Sequence, residues 1–391
     1  MKKLLIIGAS ILQVPAIKKA KEMGFTVGVV DYNPKAVGVP MADEFFCVST
    51  IDIEGVADVA KHFAPDGIMT LATDMPMRSI ARSAEECGLP GISMETAIRS
   101  TDKGEMIKCF EAHGVEHPWY FILKDVAALG NIRERVTYPC ITKPTDNSGS
   151  RGVMLVHNED ELRDAVAYSS ENGRCGGVIV EEYMRGPEVS VEIIATGGEP
   201  FVLQVTDKLT TGAPHFVEMG HSQPSRLPPD DLEKICDLAR RAVKAVGIED
   251  GPAHVEIILT ENGPKMVELG ARMGGDCITT HLVPLSTGID MIDATIRIAC
   301  GENPDLVPKL KKGSAIRFFD APRGTIVGID GVEEAAAIDG ICEISFTKGV
   351  GDTVGEIGSS TDRIGFVIAQ ADTAEAAIKL CEQATHIIKI H

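Results

Sequence analysis

The sequence predicts an α/β protein with more than one domain, and three observations carry that reading. Residues 2–100 alternate apolar strand-like runs with helical ones, the pattern of a doubly wound parallel sheet. Residues 138–270 hold several strand-like runs around glycine-rich turns, with helical stretches between them. From about Gly313 the chain turns to short strands.

The first region opens with "KLLIIGA", an apolar strand ending at Gly8, and a helix from about Pro15 to Met23 stopped by Gly24. "FTVGVVD", "FFCVST" and "GIMTLAT" are the following strands. Asp74 is placed to cap a helix with Pro76 in its first turn and Gly88 past its end. A nicotinamide-binding reading of this region lacks its fingerprint, because "GASILQVP" has one glycine where GxGxxG needs three.

The next helix, "TDKGEMIKCFEAHGV", has Asp102 as cap and Gly114 as terminator. Lys103 stands in its first turn, where the helix dipole disfavours a cation, and that placement points to a task. "YPCITKPTDNSGSRGVMLV" is a strand carrying Lys143, a small-residue loop with Ser148, Gly149, Ser150 and Gly152, and a return strand. Such a loop offers backbone N–H groups to phosphates, or is an ordinary hairpin turn. The helix after it opens at Asn158 with Glu161 at capping-box spacing.

"VIVEEYMRGPEVSVEIIATGG" gives two strands. The first ends abruptly at Glu181, Glu182 and Tyr183. In the second, Glu188, Ser190 and Glu192 share a face opposite Val189, Val191 and Ile193, the alternation of a half-buried strand. Residues 207–226, which include Lys208, Glu218 and His221, read as a polar loop. A helix follows over about 230–246.

"GPAHVEIILTENGPKMVELGARMGGD" then reads as a hairpin turning at Glu261-Asn262-Gly263. Pairing its strands sets Glu256 beside Glu268. Two opposed carboxylates repel, so a cation belongs between them, and Mg²⁺ suits one or two carboxylates completed by substrate phosphates. His254 shares a face with Glu256. The last region, 313–391, shows no chemistry beyond packing. Its final helix begins near Asp372, with Glu375 completing a capping box.

The 391 residues are 44% hydrophobic and 24% charged, as in a soluble globular protein. A net charge of −19 argues against coating nucleic acid, which needs clustered Lys and Arg. No run is long enough for a membrane span. Ten cysteines lie singly, without CxxC pairs, as expected of reduced thiols in a cytoplasmic protein.

Five segments in order resemble the ATP-grasp superfamily: the Lys of "TDKGEM", "YPCITKP" with "NSGSRGV", "VEEYMRGPEVSVE", "AHVEIILT" and "VELGAR". The chain is most similar to the carboxylate–amine ligase branch, which includes amino-acid ligases, purine-pathway ligases, carbamoyl-phosphate synthase and biotin carboxylase. The resemblance implies a Rossmann-like domain over 1–100, an ATP-grasp domain over 101–312 with a lid lobe at about 115–183, and a β-rich cap over 313–391. It implies ATP and Mg²⁺ (or Mn²⁺) as cofactors, small-molecule carboxylate and amine substrates, and a homodimer.

By motif match, Lys103 and Lys143 contact ATP, and the loop Ser148–Gly152 closes over its phosphates. Glu181, Glu182 and Tyr183 meet adenine, Glu188 binds ribose, and Glu256 and Glu268 hold the metal. Arg272 grips the transferred phosphoryl group. Arg272, His254 and Lys208 form the catalytic set, and Glu218, His221, Arg272 and Gly274 meet substrate. Gly270 stands where the family usually has a metal-binding Asn.

The activity so implied is ADP-forming amide ligation through an acyl phosphate. Carboxylation or formyl transfer through carboxyphosphate or formyl phosphate is one alternative. A non-catalytic ATP-binding protein is the other.

Overall fold

The computed structural model describes residues 2–147, 149, 151–213 and 216–391. The amino-terminal region forms a parallel sheet of β1 (Lys3–Ile7), β2 (Thr26–Val30), β3 (Glu44–Phe46) and β4 (Gly67–Met69), in the order β3-β2-β1-β4. Helices α1 (Val14–Glu22), α2 (Ile53–Phe63) and α3 (Met77–Cys87) connect and follow the strands. β1 is apolar throughout after Lys3 and fully buried, as a strand covered on both faces must be.

Asp52 caps α2 by accepting from Gly55 N, whereas α3 starts at Pro76 with no side-chain cap. The expected cap, Asp74, is drawn away by a bidentate bond to Arg272. A short helix α4 (Met94–Arg99) leads into α5 (Lys103–Ala112), which Asp102 caps through Glu105 N.

A second, antiparallel sheet stands apart in the order β5-β8-β6-β7. Its strands are β5 (Tyr120–Leu123), β6 (Cys140–Pro144), β7 (Met154–Val156) and β8 (Val178–Glu182), and α6 (Glu159–Glu171) packs on it around Leu162 and Val166. Asn158 caps α6, while the Glu161 carboxylate returns to His157 N at 2.8 Å.

The third sheet has eight strands. Its members β9 (Glu188–Thr196), β10 (Glu199–Thr210), β11 (Glu218–Gln223), β12 (Gly251–Thr260), β13 (Gly263–Gly270) and β14 (Gly313–Phe318) run in the order β13-β12-β9-β10-β11-β14. Strands Gly365–Ala371 and Ile341–Phe346 complete it. The sheet therefore crosses residue 313 without a break. Helix α7 (Pro229–Val246) covers one face with Ile235, Leu238, Ala242 and Val243.

Two expectations change here. Half of residues 207–226 is strand: the end of β10, through Thr210, pairs antiparallel with β11, with Lys208 opposite His221. Their polar side chains face other buried polar groups, so the strands carry no apolar alternation to reveal them. The final helix runs over Ala374–Ile387 and is capped by Thr373 through Ala376 N, not by Asp372 with Glu375. The cysteines are free thiols. Among the described residues no helix is long and apolar enough to cross a membrane.

Candidate active site

The hairpin β12–β13 turns at Glu261-Asn262, between the paired Thr260 and Gly263. Glu256 stands directly opposite Glu268, and the next pair is Ile257 with Met266, so Val267 is an extra residue in β13. Cross-strand partners share a face, and here that face carries two carboxylates.

Both carboxylates line one cavity, and Glu268 also lines a second that meets it. The first, about 190 Å³, lies between the four-stranded lobe and the eight-stranded sheet. The lobe supplies Lys143, Gly149, Glu181, Glu182 and Tyr183; the sheet supplies Glu188, Glu218, Glu256 and Glu268. The second, about 250 Å³, reaches toward α3 and contains Asp74 and Arg272. Lys103, Asn147 and Glu268 line both.

Each carboxylate has a cation. Lys103 Nζ is 2.8 Å from Glu268, and it donates to the Asn147 carbonyl at 2.9 Å. Burial would pull the Lys103 ammonium down, but Glu268, with Asp74 and Glu256 beyond, holds it above the ordinary lysine value. The cation in the first turn of α5 thus answers Glu268 rather than the helix dipole.

Lys208, 2% exposed at its side chain, reaches Glu188 at 2.7 Å, Glu256 at 3.0 Å and Glu218 at 3.9 Å. Burial opposes its charge, and the three carboxylates together raise it well above the usual range. Glu218 is itself raised, by burial and by Glu256 and Asp276, against the pull of Lys208.

His254 lies beneath Glu256, with Nδ1 2.9 Å from Glu192 and Nε2 3.2 Å from Glu256. Its burial would lower the pKa, but the Glu192 carboxylate carries it up to about 9. Glu256 is held well below the ordinary carboxylate value despite burial, first by Lys208 and then by His254. Lys143 pairs with Glu181 at 2.6 Å, both nearly buried, and Lys265 with Glu182 at 2.7 Å.

Arg272 forms a fork with Asp74, at 2.8 and 3.0 Å. Gly270 makes room for it: a Cβ there would meet the Asp74 carboxylate at 2.5 Å. The same holds at Gly274, where a Cβ would stand 2.6 Å from His254 Nδ1. An asparagine at 270 would push the Asp74 carboxylate, and its bond to Arg272, aside.

The structure thus gathers most of the sequence-selected residues around the first cavity and places the rest elsewhere. His254 and Lys208 lie beneath the carboxylates and line neither cavity. Gly274 packs under them. His221 is displaced to a separate cluster, with Nε2 3.3 Å from Asp276. Gly152 sits against Pro144 beside the loop rather than in the cavity. Ser148 and Ser150 lie outside the described residues.

Reading the sequence missed Glu192, Asp74, Asp276 and Arg363. Glu192 lay in a strand taken as half-buried, yet it is fully buried. Arg363 overturns the view of 313–391 as packing alone. It bonds Asp276 twice at 2.6 Å and the Glu218 carbonyl at 3.0 Å, and its guanidinium lies 3.6 Å from the Phe318 ring centre. Asp276 is held far below its ordinary value by Arg363 and His221, against burial. No spacing in "TDRIGF" marks that arginine.

Residues 136–280 match the family described as ATP-grasp domain, and residues 317–391 match the L-amino acid ligase C-terminal domain 2. Alanine–anticapsin ligase of Bacillus subtilis is 28% identical over 281 residues, which are 65% of this chain and 58% of that ligase. The crystal structure of an L-amino acid ligase from Bacillus licheniformis superposes with TM-score 0.86 at 22% identity, covering 100% of this chain and 98% of the other. That of phosphoribosylglycinamide synthetase from Anaerococcus prevotii gives 0.82 at 26%, covering 100% and 99%.

Proposed function

We propose that the chain, whose residues 136–280 match the ATP-grasp domain family, joins a small-molecule carboxylic acid to an amine, with ATP consumed to ADP and phosphate. The observation that carries this is the opposed pair Glu256 and Glu268, with Glu268 at the meeting of two cavities and paired with Lys103.

A carboxylate is a poor acyl donor because oxide is a poor leaving group. Transfer of the γ-phosphoryl group makes an acyl phosphate. The amine nitrogen then bonds to the acyl carbon, phosphate leaves with the bonding pair, and the amine proton passes to solvent.

Among the described residues no three or more His, Cys, Asp or Glu side chains form a protein-only metal cage. Two carboxylates with phosphate oxygens are the donor set that Mg²⁺ takes, so the residues fit it. Bound there by Glu256 and Glu268, Mg²⁺ (or Mn²⁺) would offset the charge of the phosphates.

The chain's own residues do the remainder. The Glu181–Tyr183 segment meets adenine, Glu188 the ribose, and Lys103 and Lys143 the phosphates. The loop that carries Gly149 closes over them and keeps water from the acyl phosphate. Arg272, oriented by Asp74, offers its fork to the phosphoryl oxygens. His254 and Lys208 act from below as positioning residues that hold Glu256 and Glu188. Glu218 faces a substrate ammonium. A homodimer in the cytoplasm completes the proposal.

The test is ADP and phosphate release across panels of amino acids and amines, with mass spectrometry of the products. The expected product weighs the sum of acid and amine less one water. ADP release that never yields such a product, for any pair, would overturn ligation.

A further inference from the structure

We propose that Arg363, from the region after residue 313, is a positioning residue for the acid substrate, acting through Glu218 and Asp276. This role rests on the ligase reading and adds a residue to that site.

Glu218 stands where its strand is held least. β11 pairs with β14 only from Gly220 onward. On the other edge the register with β10 shifts between Leu209 and Thr210, so Met219 is skipped and Glu218 lies opposite Thr210. The ladder therefore gives the Glu218 main chain little support, although its side chain lines the first cavity. Arg363 Nη1 supplies a bond there by donating to the Glu218 carbonyl at 3.0 Å.

The same guanidinium pins the loop after β13. Asp276 and Cys277 both adopt left-handed backbone, with φ of +51° and +61°, although neither is glycine. Such conformations are strained for residues with a Cβ and persist where the surroundings hold them. Arg363 bonds both Asp276 oxygens at 2.6 Å, and His221 Nε2 lies 3.3 Å from one of them. The stretch so held begins at Arg272, with its fork to Asp74 in the second cavity, and passes Gly274 beside His254.

Arg363 is itself fixed. It is buried, its Nε donates to the Ser360 carbonyl at 2.9 Å, and its guanidinium lies over the Phe318 ring. One planar group thus meets a cavity-lining segment and an arginine-bearing loop at once. A lysine would keep a charge opposite Asp276, but it has no fork to bond both carboxylate oxygens and the carbonyl in this geometry.

A purely structural anchor would show in folding alone. A positioning residue shows in substrate use, because a misplacement of about 1 Å costs about 10²-fold. The experiment measures kcat and KM for ATP and for an acid that the unmodified enzyme couples. It is run on the unmodified enzyme, Arg363→Met, Glu218→Gln and the double variant, with thermal midpoints alongside. Arg363→Met lowers kcat/KM for the acid about 10- to 100-fold and leaves KM for ATP within about twofold. In the Glu218→Gln background the same change costs less, since the two residues act on one contact. Arg363→Lys falls between the parent and Arg363→Met, and it serves if Arg363→Met fails to fold.

An unchanged kcat/KM for the acid in folded Arg363 variants, or a loss seen only in the thermal midpoint, overturns the inference and leaves ligation standing. So does a loss equally large with and without Glu218→Gln. Absence of coupled product from every acid–amine pair given to the unmodified enzyme overturns the ligase reading, and this inference with it.

Discussion

The two faces of strands β9 and β12 have opposite chemistry. One carries Val189, Val191, Ile193, Val255 and Ile257 against α7. The other carries Glu188, Glu192, His254 and Glu256 over Lys208. Removing the first face from water is favourable, by roughly 25 cal/mol per Å². Removing the second is unfavourable unless every charge has a partner. The apolar face holds the sheet together, and the charged face is tolerated because it is fully paired. A charged cluster that stability alone would not select marks the site.

The largest effect expected from this contrast is at Glu268. Glu268→Ala should lower ADP-forming turnover by at least about 10³-fold. Its thermal midpoint should stay near that of the parent, because Glu268 is partly exposed and Lys103 keeps the Asn147 carbonyl. Full turnover in the folded variant would break the division of labour between the faces.

Lys208→Met should hurt both properties. Glu188, Glu218 and Glu256 would then share a buried face without their common cation. Uncompensated buried charge of this kind costs about 3–5 kcal/mol, measurable by urea unfolding at pH 7.5. The loss should shrink toward pH 5, as Glu218, already raised, takes up a proton. A loss that does not vary with pH would show that Lys208 matters for packing instead.

Ile257→Ala is the counterpart on the apolar face, where the side chain is fully buried. It should cost about 2–5 kcal/mol and leave kcat per folded molecule within about twofold. A large fall in kcat at unchanged stability would mean that the two faces are coupled through the strand.

The same contrast explains what could be read from the chain. Period-two alternation and glycine turns revealed the hairpin and the Glu256–Glu268 register, because one face is apolar and the turn residues are local. Asp102 as a cap was legible for the same reason. β10 and β11 were not, since polar residues facing a buried charge cluster look like loop. Asp74, 198 residues from Arg272, and Arg363, 87 residues from Asp276, act through pairings that only the folded chain creates. Glu192 was visible as a carboxylate, but its complete burial depends on the neighbouring strands β10 and β12.

The mildest test is at His254, whose pKa is raised from 6.5 to about 9. The folded state binds this proton more tightly than the unfolded chain does. Its stabilisation is therefore complete below about pH 6.5 and fades as pH rises through about 9. The shift corresponds to about 3 kcal/mol at pH 6 and about 1 kcal/mol at pH 8. In chelator-treated buffer, His254→Gln should sit well below the parent in thermal midpoint at pH 6 and approach it near pH 10. Glu256, held low by Lys208 and His254, stays ionised across this range, so the trend belongs to the imidazole. An offset that stays flat from pH 6 to 10 would mean the ring is neutral in the fold. The charged face would then be held by Lys208 alone.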